Sequence, residues 1–312
     1  MVKKINPSGV VSDTSHHFQY DCVVVGGGPA GYTSAFYLTH FGRSCAMVQH
    51  GVSRVRWIPK IHHLIGHEKD LSGPRLLKQM RSHALQLKIP IFRGEAKVNR
   101  ERNGFRVQFG RKSITAARVI LATGIIDHEP DFPETMTLKR KGYLRYCPIC
   151  DGHDFRGSPL AVLVKDASGI QEAEFIAKYT PDLHVIMLKK IALLPRHRDI
   201  LGSCGIHLHH RRVRRISISS RPKGVVFHFS GGKKLSVRAA YVALGKSPNT
   251  SAYDHLKVRR TKDGFIRVNA THRTSMRGLY AVGDCVNDLY QISVAAAHGA
   301  IAATDAHNSL FT

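Results

Sequence analysis

Two groups of residues in this 312-residue chain have types and spacings that can do chemistry. The first is Tyr146-Cys147-Pro148-Ile149-Cys150-Asp151-Gly152. A cysteine pair spaced by two residues fits half of a four-cysteine zinc site, a redox dithiol, or a chance pairing. Zinc needs a second such pair, and Cys22, Cys45, Cys204 and Cys285 stand apart from one another. The redox reading accounts for more of the residues. The spacing permits a small disulfide loop, Pro148 restrains its backbone, and Asp151 can shuttle the proton that dithiol chemistry releases. The second group is Gly26-Gly27-Gly28-Pro29-Ala30-Gly31. In Gly26-x-Gly28-x-x-Gly31 the first glycine makes a tight turn and the second lets backbone approach a pyrophosphate. The third lets helix and strand pack closely.

Such a loop works only between a strand and a helix, and the flanking sequence supplies both. Asp21-Cys22-Val23-Val24-Val25 is apolar and β-branched, as a buried strand requires. Residues from Pro29 to about Phe41 read as a helix, with Ala35, Leu38 and Phe41 on one face. Its free N–H groups would hold the anion. A second strand, Cys45-Ala46-Met47-Val48, should deliver an acid to the ribose hydroxyls. Gln49-His50 stand there instead, and Gln49 can still accept one hydrogen bond. Two later segments say which nucleotide is held. Arg118–Leu121 reads as a strand ending in the small-residue turn Ala122-Thr123-Gly124. Gly278–Val282 reads as another, ending in Gly283-Asp284 and followed by an alanine-rich helix from Ile292 to about His307. Asp284 is then placed for a ribityl or ribose hydroxyl, while that helix aims its positive end at a bound ring. Together these point to FAD rather than a nicotinamide.

Composition narrows the class. At 43% apolar and 22% charged residues the chain is globular, and its length suggests two domains. Six cysteines are too few for a disulfide scaffold. No apolar run approaches a membrane span. The start, Met1-Val2-Lys3-Lys4, leads into polar sequence rather than a signal core, so a soluble cytoplasmic protein is expected. The net charge of +25, with 20 histidines besides, would attract nucleic acid, membrane surfaces and acidic proteins alike. Its densest patch, His207-Leu208-His209-His210-Arg211-Arg212-Val213-Arg214-Arg215, carries apolar Val213, Ile216 and Ile218 and reads as a solvated strand face. No recognition helix, zinc finger or aromatic RNA-binding signature accompanies it, so no specific nucleic acid is expected. Cys204, His207, His209 and His210, and likewise His62, His63 and His67, lack the surroundings of a metal site.

The motifs, taken in order, resemble the low-molecular-weight thioredoxin reductases, which belong among the FAD-dependent pyridine nucleotide-disulfide oxidoreductases. The resemblance rests on Gly26–Gly31, Ala122-Thr123-Gly124, Cys147-Pro148-Ile149-Cys150-Asp151, Ala243-Leu244-Gly245-Lys246-Ser247-Pro248-Asn249-Thr250, and Gly283-Asp284 with Gln291. It spans about residues 20–308. It implies an α/β fold of two three-layer, Rossmann-like nucleotide-binding domains, the second inserted into the first. Residues 1–127 and 251–312 would form the FAD domain. Residues 128–250 would form the inserted NAD(P)H-type domain, carrying the cysteines. Cofactor contacts would come from Gly26, Gly28, Pro29, Ala30, Gly31, Gln49, Ala122, Thr123, Gly124, Gly283, Asp284, Gln291 and Ile292. Cys150 would face the flavin, Cys147 would attack the partner's disulfide, and Asp151 would give and take the proton. The resemblance also implies a homodimer, and a thioredoxin-like protein or a small disulfide or dithiol as partner.

One part of the family pattern fails. After the expected strand Leu160–Leu163, the glycine positions of a second fingerprint hold Val164, Asp166 and Gly169. A valine blocks the tight turn, and a carboxylate stands where a pyrophosphate should lie. After Leu183–Ile186, Met187-Leu188-Lys189 replace the basic cluster that grips a 2′-phosphate. Lys190, Arg196 and Arg198 lie off register. The helix Gly169–Ala177 keeps its apolar face, so the fold persists without the site. NADPH is therefore not expected as the ordinary donor. The pattern resembles family branches that take electrons from ferredoxin or oxidise a dithiol. An acidic electron-transfer protein would suit the basic surface, and a non-catalytic FAD-binding docking or sensing protein is the remaining alternative.

Overall fold

Strands covered on both faces read as unbroken apolar runs, and the computed structural model, which describes residues 18–67, 71–190 and 192–311, buries them so. The stretch beginning Met1-Val2-Lys3-Lys4 lies outside the described residues. The chain opens with β1 (Tyr20–Val25), α1 (Pro29–His40), β2 (Cys45–Gln49) and α2 (Gly73–Gln86). Then come β3 (Ile91–Arg93), β4 (Ala96–Arg100), β5 (Phe105–Phe109), β6 (Lys112–Leu121) and β7 (Ile125–Asp127). The middle holds α3 (Thr135–Arg140), β8 (Leu144–Arg145), α4 (Pro148–Asp151), β9 (Leu160–Val164), α5 (Ser168–Ala177) and β10 (Leu183–Met187). It continues through α6 (Pro195–Ser203), β11 (His207–His209), β12 (Val213–Ser220), β13 (Lys223–Phe229), β14 (Lys234–Val237) and β15 (Ala239–Ala243). β16 (Lys246–Pro248), β17 (Leu279–Ala281) and α7 (Ile292–Asn308) close it.

These elements fall into two compact units. The first collects the chain up to Arg56, Pro74–Ile126 and everything from Ser247. Its sheet runs β3-β2-β1-β6-β5-β4, with β17 also paired to β6. On the side away from β1, β6 is long enough to serve two neighbours: Lys112–Ala116 pairs antiparallel with β5, and Val119–Leu121 pairs parallel with β17. The second unit collects Trp57–Gly73 and Asp127–Lys246. Its parallel sheet runs β11-β10-β9-β15-β8, beside an antiparallel sheet β12-β13-β14. Leu160–Val164 are fully buried, as are Ile170, Ala173 and Ile176 of α5 that cover them. The architecture is α/β with two Rossmann-like domains, the first built on a mixed, mainly parallel sheet and the second on a parallel one.

The division differs from the expected 128–250 boundary in one substantive way: Trp57–Gly73 groups with the second unit. Side-chain chemistry explains it. Lys139 Nζ stands 5.2 Å from the Trp57 ring centre, and His62 Nε2 pairs with Asp154 Oδ2 at 2.9 Å. The basic patch is not one strand but two: His207–His209 form β11, residues 210–212 turn, and Val213 opens β12 in a different sheet, where the alternation is broken. A β-bulge between Val213 and Arg215 turns both Arg214 and Arg215 outward while Val213 and Ile216 stay buried.

Candidate functional site

In the first unit four parallel strands end level with one another. Val25 pairs with Leu121, Leu121 with Ala281, and Val25 with Val48. The loops that follow, Gly26–Gly31, Ala122–Gly124 and Gly283–Asp284, therefore leave the sheet at one edge, with Gln49 beside them. Outside the carboxyl ends of the strands is where open α/β sheets bind ligands.

The glycine loop divides its work by position. At Gly26, with φ of +127°, an added Cβ would lie 2.1 Å from the Ala122 carbonyl oxygen. At Gly31 it would lie 2.3 Å from the Gly26 carbonyl oxygen. Both glycines are demanded by packing. Gly28 is different, because a Cβ there meets nothing nearer than Ser53 Oγ at 3.5 Å. Gly28 is also the N-cap of α1, with Pro29 opening the helix and no side-chain cap bond. At the first-turn N–H groups the only side-chain atom this near Gly28 is Ser53 Oγ, so a ligand can approach backbone closely, which is the form of an anion cradle. Gln49 packs its side chain against Gly27, where an added Cβ would fall 2.6 Å from Gln49 Cδ.

The remaining parts are drawn in by small residues. Gly283, at φ +67°, brings the half-buried Asp284 beside α1, since a Cβ on Gly283 would lie 2.9 Å from Ala30 Cβ. Gly299 of α7 lies against Ala30, and Ser34 Oγ donates to the Gly299 carbonyl at 3.2 Å. The N-terminus of α7 at Ile292, with N-cap Gln291, carries no side-chain cap bond either. Asn249 fixes the Ala122-Thr123-Gly124 turn: its backbone N–H donates to the Gly124 carbonyl at 2.9 Å and its Nδ2 to the Thr123 carbonyl at 3.2 Å. Asn249 stood in the sequence motif with no role attached. These features fit a pyrophosphate-bearing dinucleotide such as FAD, and the candidate cofactor residues all lie in this one unit.

In the second unit Cys147 and Cys150 form a disulfide across α4, with Cα atoms 5.2 Å apart and Cys147 at the N-cap. Pro148 opens the short helix, and both cysteines are half-buried with the exposed Ile149 between them. The other thiols are unsuited to exchange. Burial pushes the Cys22, Cys45 and Cys285 thiols up, and Cys204 has no cysteine partner. Among the described residues no group of three or more His, Cys, Asp or Glu could hold a metal ion.

Asp151 is 5% exposed, and its two oxygens are divided between two donors. Tyr241 Oη donates to Oδ1 at 2.6 Å, and Arg145 Nη2 donates to Oδ2. Burial pushes the Asp151 carboxyl above the usual carboxylate range, against the pull of Arg145 and the Tyr241 bond. Sequence reasoning missed both donors. The available signals were an arginine inside a two-residue buried strand and one polar-tipped residue in Ala239-Ala240-Tyr241-Val242-Ala243.

The β9–α5 turn is the counterpart of the glycine loop and is built differently. Val164 is the last residue of β9, wholly buried, and its Cγ1 lies 2.6 Å from where a Cβ on Gly169 would stand. The Asp166 carboxylate accepts from the Ser168 backbone N–H at 3.0 Å and from Ser168 Oγ. This helix start already holds its own anion. Beyond β10, Met187 is buried and Leu188 packs against the core, while Arg196 Nε donates to His197 Nε2 at 3.2 Å.

A family model described as pyridine nucleotide-disulphide oxidoreductase matches residues 20–299. The chain is 27% identical to a thioredoxin reductase of Escherichia coli O157:H7, over 92% of this chain and 95% of that one. It is 29% identical to a thioredoxin reductase of Aquifex aeolicus, over 91% of each. A thioredoxin reductase structure from Streptococcus pyogenes superposes with a TM-score of 0.86 at 23% identity, covering 94% of this chain and 98% of that one, a likeness of fold. No helix among the described residues is long and apolar enough to cross a membrane.

Proposed function

The chain belongs to the pyridine nucleotide-disulphide oxidoreductase family and is a flavin-dependent disulfide oxidoreductase, and from that premise we propose how its residues divide the work. Cys147 and Cys150 are the exchanging pair. The observation that carries this assignment is their disulfide: it is the one cysteine pair among the described residues, half-exposed, and followed directly by a buried carboxylate. Gly26, Gly28, Pro29, Ala30 and Gly31 hold the pyrophosphate of FAD against the start of α1. Gln49 and Asp284 take ribose or ribityl hydroxyls. Ala122, Thr123 and Gly124 line the approach, and Gln291 and Ile292 present the start of α7 to the ring. Bound FAD would supply a two-electron carrier able to exchange with a disulfide. Cys147 meets the outside disulfide, Cys150 is the sulfur that exchanges with the flavin, and Asp151 holds the proton that appears or disappears as the dithiol closes or opens. The partner is a thioredoxin-like protein or a small disulfide, and the working form is a homodimer.

The pyridine-nucleotide side is where this chain departs from the family's fingerprint. Asp166 at the start of α5, with Val164 filling the turn, favours a variant reduced by a protein donor or a dithiol rather than by NADPH. An acidic electron-transfer protein would be attracted by a surface of net charge +25. The test is anaerobic mixing of the flavin-loaded protein with NADPH, NADH, reduced ferredoxin or a small dithiol, following which one bleaches the flavin. Disulfide turnover at the full rate in Cys150→Ser would refute the dithiol assignment itself.

A further inference from the structure

The residues that flank the redox turn converge on one atom group. β8 and β15 pair in parallel with Tyr241 opposite Arg145, so the two side chains leave neighbouring strands side by side. Both reach Asp151 and between them occupy both of its oxygens. All three groups are buried, with Arg145 and Asp151 each 5% exposed and Tyr241 not at all. Burying three polar groups costs free energy unless their bonds are complete. Here Arg145 Nε has no partner, so the cluster is not a fully satisfied structural network.

We propose that Arg145 and Tyr241 are positioning residues for the disulfide chemistry: they fix the orientation of the Asp151 carboxylate beside Cys150 and together set how readily it takes a proton. This rests on Cys147 and Cys150 being the exchanging pair. Opening the disulfide with a dithiol is the step concerned. A reagent thiolate bonds to the Cys147 sulfur, the Cys147–Cys150 bond breaks, and its electron pair goes to the Cys150 sulfur. That sulfur takes its proton from Asp151. The second reagent thiol then displaces Cys147, giving oxidised reagent and two protein thiols, with two electrons and two protons transferred. Asp151 recovers its proton from solvent.

The two donors act differently on that proton. A guanidinium carries a fixed positive charge, so it favours the carboxylate over the neutral acid whichever oxygen it meets. A tyrosine hydroxyl donates to the carboxylate and, after rotating, accepts from the acid, so it remains a partner in both states. Other charged or titratable groups bear on the cluster from neighbouring segments. Asp154, in the turn after α4, raises the Asp151 proton affinity, and it is itself paired with His62. Tyr179, just beyond α5, bears on Tyr241. Arg145 also lies over the Phe155 ring, 5.4 Å from its centre.

The experiment uses flavin-loaded protein, dithiothreitol as reductant, and rapid alkylation with mass counting of opened cysteines, from pH 5 to 9 under anaerobic conditions. Asp151→Asn defines the profile without a carboxyl. Relative to it, Arg145→Met should move the Asp151 inflection upward by about one to two pH units, the loss of one charge-assisted bond. Arg145→Lys should return most of the shift. Tyr241→Phe, which keeps the ring and removes only the hydroxyl, should move it upward by about half a unit to one unit. Tyr241→Phe also carries the test if Arg145→Met fails to fold. An inflection unmoved in Tyr241→Phe or in folded Arg145→Met, or a profile identical in wild type and Asp151→Asn, overturns the proposal. Failure of the underlying assignment reads out elsewhere, as disulfide turnover that survives Cys150→Ser.

Discussion

The same substitution at two glycines of one loop should separate packing from binding. At Gly31 an alanine Cβ would fall 2.3 Å from the Gly26 carbonyl oxygen, and both atoms belong to backbone that cannot rotate aside. Ordinary contact needs about 1 Å more, so strand or helix must shift. Overpacking of this kind costs ~1–3 kcal/mol or more, and the helix-propensity gain of alanine over glycine returns only about 1 kcal/mol. At Gly28 the backbone lies at φ −95°, ψ −177°, which alanine adopts freely, and the methyl would make only ordinary contact with Ser53 Oγ at 3.5 Å. Its folding cost should stay within about 1 kcal/mol, that of a poorer N-cap. The methyl would, however, hold a pyrophosphate away from the first-turn N–H groups. Losing one charge-assisted bond, at ~1.5–3 kcal/mol, lowers affinity by roughly one to two decades. The assay is flavin content after gel filtration, fluorescence titration with FAD, and thermal melts at saturating FAD. Gly28→Ala should melt near wild type at saturation yet bind FAD at least tenfold more weakly, while Gly31→Ala should express poorly and melt well below wild type. Wild-type FAD affinity in Gly28→Ala would refute the cradle, and a wild-type melt in Gly31→Ala would refute the packing argument.

Micromolar NADPH should leave the flavin oxidised in anaerobic stopped-flow, with a dithiol or a reduced protein donor reacting far faster. Two missing phosphate bonds at ~1.5–3 kcal/mol each weaken binding by roughly two to four decades, and rapid bleaching by micromolar NADPH would disprove this. Cys147→Ser and Cys150→Ser should each abolish disulfide turnover while leaving flavin content intact, because the pair and the glycine loop lie in different units; turnover above a tenth of wild type in either variant would count against the pair. Acid should weaken the fold through His272, whose burial, with His298 beside it, pushes its pKa down to about 4. Because the folded form binds this proton less readily than the unfolded chain, stability is complete above pH 6.5 and falls as pH drops towards 4. With allowance for partial solvation the loss is about 2 kcal/mol, seen as a lower urea midpoint at pH 4.5 than at pH 7 in wild type and a smaller change in His272→Gln. Equal changes in both proteins would exclude His272 as the cause.

What the sequence determined by itself was whatever depends on neighbours a few residues apart. Backbone sterics around Gly26, Gly28 and Gly31 are local, so a strand, a turn and a helix start could be placed from spacing alone, as could Cys147 within reach of Cys150. The apolar run Leu160–Leu163 announced a strand for the same reason, although the strand continues through Val164, which the spacing had put in the turn. The missing glycines at Val164 and Asp166 were equally plain, but not what fills their place. Only the structure shows the Asp166 carboxylate bonded to the Ser168 N–H, which turns a lost site into one closed by its own anion. Contacts between distant segments were invisible. Nothing in the order of residues says that Tyr241 donates to Asp151 across 90 positions, that Asn249 ties down Thr123 and Gly124, or that Trp57–Gly73 groups with the cysteine-bearing unit. Those pairings depend on strand register. One residue of register decides which side of a sheet every side chain faces, and in β8 and β15 that register sets Arg145 beside Tyr241, where together they hold the carboxylate that follows Cys150.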